Sequence, residues 1–155
     1  MTEETVKQYW DRFLASLPPD SPYRTKTYVA EGWGDNPRLA DELGALIVQG
    51  SKTATCSALR EWEAEGNPIP EAGLITIALD GGGEPLCIVE TVEVTIRKYN
   101  EVDADFAREE GEGDLSLHYW REAHKNYFSR VLKKIDREFS EEMLLVCERF
   151  RVIYE

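Results

Sequence analysis

Residues 73–102 most constrain the fold of this chain, because they contain two strand-like segments separated by a glycine-rich turn. The first segment, GLITIALD, is typical of a strand, and LCIVETVEVTIRKYNEV is typical of one long strand or two short ones. Between them, DGGGEP is typical of a hairpin turn, since glycine tolerates the backbone conformations that such turns need. The sequence therefore predicts an antiparallel hairpin in the middle of the chain. A further strand, or a pair, is predicted in the β-branched and aromatic segment MLLVCERFRVIYE.

Apolar residues at helical spacing precede this β region. A helix is predicted at about residues 2–17, with one apolar face formed by Val6, Trp10, Phe13, Leu14 and Leu17. Two prolines follow and end it. Residues 20–35 are rich in aromatic residues and are predicted to form a loop.

Three more helices are predicted. One begins after Asn36, a good N-cap, and ends at Gly50. A short helix follows through CSALREWEAEG, and a longer one runs from about Ser116 to Ile135. Helices combined with a mostly antiparallel β half predict an α+β fold, and no linker or repeat divides residues 1–155, so we expect a single domain.

The composition is that of a globular protein with its own core, since 42% of the 155 residues are hydrophobic. No apolar run approaches the roughly 18 residues of a membrane span, and the acidic start of the chain does not resemble a signal peptide. The cysteines Cys56, Cys87 and Cys147 are odd in number and form no CxxC pair. We therefore expect a reduced, cytoplasmic protein that does not bind membranes, and no residue spacing calls for a cofactor or a metal.

The net charge of −12 constrains the ligand. An acidic protein repels polyanions on average, which argues against duplex DNA as a partner. A local basic cleft can still hold a short single strand, and a small or neutral ligand suits the charge better.

The segment GSKTATCS, residues 50–57, is the first candidate site. If the backbone turns helically after Gly50, Lys52 and Thr55 share a face, and the amine can take the hydroxyl proton as the oxygen attacks a carbonyl. That role requires the pKa of Lys52 to fall by about three units from about 10.4, which only desolvation would achieve. Alternatively, the hydroxyl residues only link two helices, and Lys52 faces water.

The acidic stretch REEGEGDLSLHYW, residues 108–120, is the second candidate. Its carboxylates surround two glycines and can orient an amine, polarise water or ligate a divalent metal; they are Glu109, Glu110, Glu112 and Asp114. Alternatively, the stretch is an acidic helix entrance in which Asp114 or Ser116 is the N-cap.

The remaining candidates are weaker. His118 and His124 are six residues apart, unlike a helical metal pair, and His124 lies in an apolar stripe, so it is predicted to be a buried, hydrogen-bonded core residue. In the loop YVAEGWGDN, Tyr28 and Trp33 either stack on a nucleic-acid base or fold onto the core.

The two main candidate segments occur together, in the order GSKTAT and then EGEGDLSLHYWREAHKNYF. This combination resembles the ASCH domain family, in particular its longer bacterial branch, from about residue 25 to the C-terminus. The resemblance implies a small PUA-like β-barrel, mostly antiparallel, with helices around it. It also implies a cleft beside the barrel, lined by both segments, for RNA or nucleoside ligands.

Family activities include RNA binding, ribonuclease-like cleavage and hydrolysis of the amide in N4-acetylcytidine. In the amidohydrolase members the catalytic set is a lysine, a threonine three residues later and a downstream glutamate. The resemblance assigns the first two roles to Lys52 and Thr55 and the third to Glu112, with Glu110 as the alternative. Relative to those members, this chain adds the N-terminal helix and the YVAEGWGDN loop.

As an amidohydrolase, the chain would use Thr55 as nucleophile, Lys52 as proton acceptor and donor, and Glu112 to hold Lys52 or the substrate amine. Backbone N–H groups from Ser51 to Thr53 would then bind the oxyanion.

The alternative is a module for short single-stranded RNA, in which Lys52 and Arg60 contact phosphates and an aromatic residue, Tyr28 or Trp33, stacks on a base. Its ribonuclease version would use a divalent metal at Glu110 and Glu112. The sequence does not indicate the oligomeric state.

Overall fold

The computed structural model describes residues 3–155, with side chains from residue 5 onward. This part of the chain contains five α-helices and five strands. In chain order they are α1 (Glu3–Ala15), β1 (Val29–Gly32), α2 (Pro37–Gln49), β2 (Ala54–Ala58), α3 (Leu59–Glu65), β3 (Ile75–Leu79), β4 (Pro85–Lys98), α4 (Ala104–Glu110), α5 (Leu117–Lys133) and β5 (Leu144–Tyr154). Short 3₁₀ turns lie at Pro22–Thr25 and Tyr99–Glu101.

The strands form one strongly curled half-barrel sheet in the order β1-β3-β4-β5-β2. Neighbouring strands are antiparallel except β1, which runs parallel to β3. The long pair β4–β5 changes register between Ile88 and Val89 and again between Thr91 and Glu93. Such irregularities bend and twist strands, which helps the sheet to curl. The predicted α+β fold with a mostly antiparallel barrel-like sheet is therefore confirmed.

The helices pack on different faces of this sheet. On β3, Ile77 belongs to the core cluster under α1, whereas its neighbour Ala78 belongs to the cluster under α2. Successive side chains of a strand point to opposite faces, so α1 and α2 lie on opposite sides of β3. A third cluster joins α4 and α5 to β2 and β5 and includes Phe106, Trp120, Phe128, Leu132 and Leu145. No helix in residues 3–155 is long and apolar enough to cross a membrane.

Two helices begin at the caps that the sequence indicates. The Asn36 side chain accepts the Leu39 N–H at 2.9 Å, and Gly50 ends α2 with a φ of 84°. Of the two cap candidates for α5, Ser116 is the N-cap, since its hydroxyl accepts the Tyr119 N–H at 3.0 Å. The predicted helix at about residues 2–17 is observed over the described residues as α1, although its first predicted residue lies outside them.

Three local predictions are wrong. The predicted loop at residues 20–35 contains the strand β1. This strand is exposed and has no apolar pattern; its pairing with β3 holds it in place. The chain after Gly50 is extended, not helical, because residues 54–58 pair with β5. The short helix therefore begins at Leu59 rather than near Cys56. The acidic stretch follows a helix, α4, that was not predicted; it is only seven residues long and capped by Asp103.

Replacing Phe13 by Ala tests whether α1 is part of the core. Phe13 is 2% exposed and contacts the rings of Trp10 and Tyr154, so the substitution should lower the free energy of unfolding by about 3–5 kcal/mol. The exposed Gln8→Ala on the same helix is the control and should change it by less than about 0.5 kcal/mol. Denaturant unfolding measures both; equal stabilities would show that α1 is only loosely attached.

Candidate active site

Backbone hydrogen bonds fix the position of Lys52 between two helices. The Lys52 N–H donates to the Leu46 carbonyl at 3.1 Å, at the end of α2. The next N–H, of Thr53, donates to the Glu109 carbonyl at 2.8 Å, and the Thr53 carbonyl accepts the Phe150 N–H at 3.0 Å. The segment before β2 is thus held by α2, by the end of α4 and by β5.

The Lys52 side chain is buried in a cluster of carboxylates. Its Nζ donates to Glu110 Oε2 at 2.6 Å, to the Glu110 carbonyl at 3.2 Å and to Glu112 Oε2 at 3.0 Å. The Lys52 and Glu110 side chains are each 1% exposed, and that of Glu112 is 20% exposed. The ammonium therefore makes three charge-assisted or polar contacts out of reach of bulk water.

The two glutamates carry opposite pKa shifts. Burial raises the pKa of Glu110, but the charges of Lys52 and His124 outweigh it and hold this pKa well below its usual range. Burial also raises the pKa of Glu112, and the nearby Glu110 charge adds to that effect, so the net shift is upward despite Lys52. Glu110 is therefore the permanent counterion, and Glu112 is the carboxyl that more readily takes a proton.

Lys52 itself stays protonated. Burial lowers its pKa, but the charges of Glu110 and Glu112 raise it by more, and the net direction is upward. The expectation that desolvation would turn Lys52 into a ready base is not met, because burial brings the carboxylates with it.

The four acids of the stretch divide into two roles. Glu109 turns away from Lys52 and accepts the Arg149 Nε at 2.6 Å, and Asp114 accepts the Ser116 N–H at 2.9 Å before α5. Only Glu110 and Glu112 reach Lys52. The acidic helix entrance and the candidate site are therefore both present, on different residues of one stretch.

The glycines of this stretch make room for protein rather than for a ligand. Gly111 has a φ of 74°, and a Cβ there would overlap the Ser51 carbonyl and lie 2.9 Å from the Lys52 Cα. A Cβ on Gly113 would overlap the Tyr119 ring. The close approach of the two segments thus depends on glycine between the two glutamates.

His124 is buried and hydrogen-bonded, as predicted for a core residue, but it also belongs to the charge cluster. Its Nδ1 contacts the Trp120 carbonyl at 2.9 Å, and its Nε2 lies 3.7 Å from Glu110 Oε2. Since a carbonyl only accepts, Nδ1 carries a hydrogen and Nε2 faces the carboxylate. Burial lowers the pKa of His124, but the Glu110 charge raises it by more. No helical spacing in the sequence indicates this contact.

A cavity of about 490 Å³ opens above this cluster. Its lining includes Lys52, Thr55, Glu110, Glu112 and His124. Thr55 is half-buried on β2, and its hydroxyl has no hydrogen-bond partner among residues 3–155. The three residues that the resemblance assigned to catalysis therefore share one cavity.

The other predicted site residues lie in different places. Trp33 lines the cavity and packs edge-on against Phe150, with ring centroids 5.1 Å apart. Tyr28 packs on Trp10 at 4.6 Å, and the exposed Arg60 pairs with Glu63 at 3.7 Å; neither lines this cavity. The exposed side chains of Ser51 and Thr53 do not line it either.

One side-chain group in residues 3–155 has the composition of a metal site. Ligand atoms of Cys56, Glu110 and His124 lie within 4.8 Å of one another. The Lys52 ammonium already contacts the Glu110 carboxylate, and burial raises the pKa of the Cys56 thiol well above its usual range. A soft ion such as zinc would fit this donor set once the thiol is deprotonated. The predicted pair Glu110 and Glu112 is instead bridged by Lys52.

The curled sheet, its surrounding helices and the charged cleft beside β2 define a PUA-like domain. The chain belongs to the ASCH domain family, whose model matches residues 30–154. It is similar to the crystal structure of an ASCH domain from Lactobacillus crispatus JV V101, with 35% identity and a TM-score of 0.93 over 99% of this chain and 97% of that one. Protein EF3133 from Enterococcus faecalis V583 is 36% identical, with a TM-score of 0.87 over 99% and 90%. None of the curated proteins compared with the chain matches it.

The close contact at Gly111 can be tested with a matched pair of glycines. Gly111 and Gly66 both end helices with similar φ values, of 74° and 70°, but a Cβ on Gly66 meets only open space. Gly66→Ala should lower the free energy of unfolding by about 1–2 kcal/mol, because alanine is strained in the left-handed backbone conformation. Gly111→Ala should cost clearly more, because it also separates the two segments. Equal losses of unfolding free energy would contradict this account.

The His124 contact predicts a raised imidazole pKa, above the ordinary 6.5. NMR titration should show this raised pKa of His124 in the wild type. In Glu110→Gln the pKa should be lower, because the carboxylate charge that opposes the effect of burial is gone. Glu122→Gln, on the same helix and also at the cavity, is the control and should change it little. The stability that the raised pKa contributes is complete below pH 6.5 and is lost as pH rises through the folded-state pKa. An unchanged pKa in Glu110→Gln would contradict the pairing.

Proposed function

We propose that the chain hydrolyses a small amide of a modified nucleoside, such as N4-acetylcytidine, in the cavity above Lys52. The observation that carries this proposal is the free Thr55 hydroxyl in one cavity with the buried cluster of Lys52, Glu110 and Glu112. An uncommitted hydroxyl near a proton-transferring cluster is the arrangement that nucleophilic catalysis needs.

The pKa directions assign different roles to the three charged groups. Because Lys52 rests as an ammonium, it must pass a proton to Glu112, 3.0 Å away, before it can act as a base. The raised pKa of Glu112 suits it to receive that proton, while Glu110 stays ionised and holds the amine in place.

The reaction then proceeds in two stages. The Thr55 oxygen attacks the carbonyl carbon, and its proton goes to the neutral Lys52 amine. As the C–N bond breaks, Lys52 returns a proton to the leaving amine, and the acyl group remains on Thr55 as an ester. Water hydrolyses the ester, which releases the acid and restores the hydroxyl.

Binding of short single-stranded RNA is the second candidate, because ASCH domains are generally RNA-binding. Within the cavity, its two Lys or Arg residues are already engaged: Lys52 by its glutamates and Arg130 by Asp35 at 3.0 Å. A phosphate would therefore find few free cations there. If RNA is the ligand, its affinity should fall steeply with added salt, whereas turnover of a neutral nucleoside should not.

Removal of the Thr55 hydroxyl tests the amidohydrolase. Thr55→Val keeps the side-chain shape and should reduce cytidine release from N4-acetylcytidine, followed by chromatography, by at least about 10³-fold. Glu112→Gln, which cannot accept the proton of Lys52, should reduce it by about 10²-fold or more. Thr95→Val is the matched control: Thr95 is half-buried on β4, lines neither this cavity nor its neighbour, and should keep full activity. Full activity of folded Thr55→Val would remove Thr55 as nucleophile.

A further inference from the structure

A second cavity, of about 300 Å³, adjoins the first and shares five lining residues with it: Trp33, Gly34, Thr55, Cys56 and Tyr127. Two kinds of side chain dominate its walls. The aromatic ones are Trp33, Trp62, Tyr127 and Phe150. The acidic ones are Glu31, Glu61, Glu65 and Glu148. We call this space the acidic chamber.

The carboxylates of the acidic chamber are only weakly balanced by cations. No Lys, Arg or His lines the chamber, and within residues 3–155 none of its four glutamates forms an ion pair. Burial raises the pKa of Glu148 to about 7. The charge of Glu31 adds to this rise, and a hydrogen bond from Thr91 opposes it. Burial, together with the charge of Glu65, also raises the pKa of Glu61, and the charge of Lys134 offsets this only in part. A positive group in the chamber would relieve this excess of negative charge.

One further polar group at the chamber lacks a partner in the described chain. Thr76 is 4% exposed and lines the chamber, yet its hydroxyl makes no hydrogen bond among residues 3–155. Because the rest of Thr76 is buried, its unpaired hydroxyl is available to a ligand in the chamber.

The sheet register connects the chamber to the candidate nucleophile. Thr55 of β2 lies directly opposite Glu148 of β5 in the antiparallel pair. Side chains of directly opposed residues point to the same face, with Cβ atoms about 5 Å apart. A ligand that reaches Thr55 from the chamber therefore passes Glu148.

We propose that the acidic chamber binds an organic ammonium group, and that the preferred amide substrate carries one at the end remote from its carbonyl. Aromatic faces and carboxylates together are the groups that recognise organic cations, through cation–π contacts and charge pairing. The same chamber disfavours phosphorylated ligands, because it would place two negative charges side by side. The substrate half of this proposal rests on the proposed function, and the binding half does not.

Three acetamides of equal chain length test the binding half: monoacetylated putrescine, which is cationic, N-pentylacetamide, which is neutral, and acetylated aminopentanoate, which is anionic. Calorimetric titration of the wild type, and of Thr55→Val to prevent turnover, gives their affinities near neutral pH. The cationic ligand should bind roughly tenfold or more tightly than the neutral one, and the anionic ligand weakest.

Substitutions of the glutamates locate the effect. Glu148→Gln and Glu61→Gln should each reduce the preference for the cation by severalfold. Glu63→Gln is the matched control, because Glu63 is exposed on the same helix as Glu61, pairs with Arg60 and does not line the chamber. This variant should prefer the cationic ligand as strongly as the wild type does.

Equal affinities for the cationic and neutral ligands would overturn this proposal. A preference that survives unchanged in folded Glu148→Gln and Glu61→Gln would also overturn it. Failure here is distinguishable from failure of the proposed function. Turnover of N4-acetylcytidine without any cation preference removes the chamber proposal alone, and cation preference without turnover of any amide removes the hydrolase alone.

Discussion

The arrangement of this site depends on one interaction, the ion pairing of the buried Lys52 ammonium with the carboxylates of Glu110 and Glu112. Loss of either partner of a buried pair leaves an uncompensated charge, which typically costs about 3–5 kcal/mol. The end of α2 and the end of α4 are consequently tied together by charge as well as by the backbone bond from Thr53 to Glu109. Replacing a buried ion pair by well-packed apolar side chains often leaves a protein equally stable, so stability alone does not require a lysine at this position.

The small side chains of β2 make the cavities available. This strand reads Ala, Thr, Cys, Ser, Ala from residue 54 to 58, and none of these side chains is large enough to fill the space beside it. The two outer alanines are fully buried in the core under α4 and α5, whereas Thr55 and Cys56 line both cavities. One short strand therefore anchors the core and carries the only aliphatic hydroxyl common to both cavities in the described chain; the other shared hydroxyl is the phenol of Tyr127.

The fold was largely predictable because its main signals are local. The hairpin glycines, the Asn36 cap and the apolar faces of α1, α2 and α5 each act within a few residues of sequence. The parallel edge strand β1 and the strand β2 were missed because their hydrogen bonds come from residues far along the chain. Tertiary pairing decides the conformation of such segments, and local propensity does not.

The candidate site, too, was predictable only in part, because some of its features depend on tertiary contacts. Lys52, Thr55, Glu110 and Glu112 were found through a family resemblance, since spacing alone favoured an ordinary helix junction and an acidic helix entrance. The helical geometry first considered for Lys52 and Thr55 was wrong. The roles of His124 and Glu148 depend on contacts across the sheet and between helices, with Glu148 opposite Thr55 and His124 close to Glu110. The sign of the Lys52 pKa shift also required knowing which carboxylates it meets.

The alternation of glutamate and glycine from residue 110 to 113 limits how this region can change in length. An insertion between Glu110 and Glu112 would carry one carboxylate away from the ammonium while the other stayed in place, because Glu110 ends α4 and Gly111 lies against Ser51. The turn after Gly113 is held as well, since the Leu115 N–H donates to the Glu112 carbonyl at 3.1 Å and Asp114 accepts the Ser116 N–H at 2.9 Å. Natural length variation among related chains should therefore fall outside residues 110–116, and these residues should vary, if at all, only by substitution.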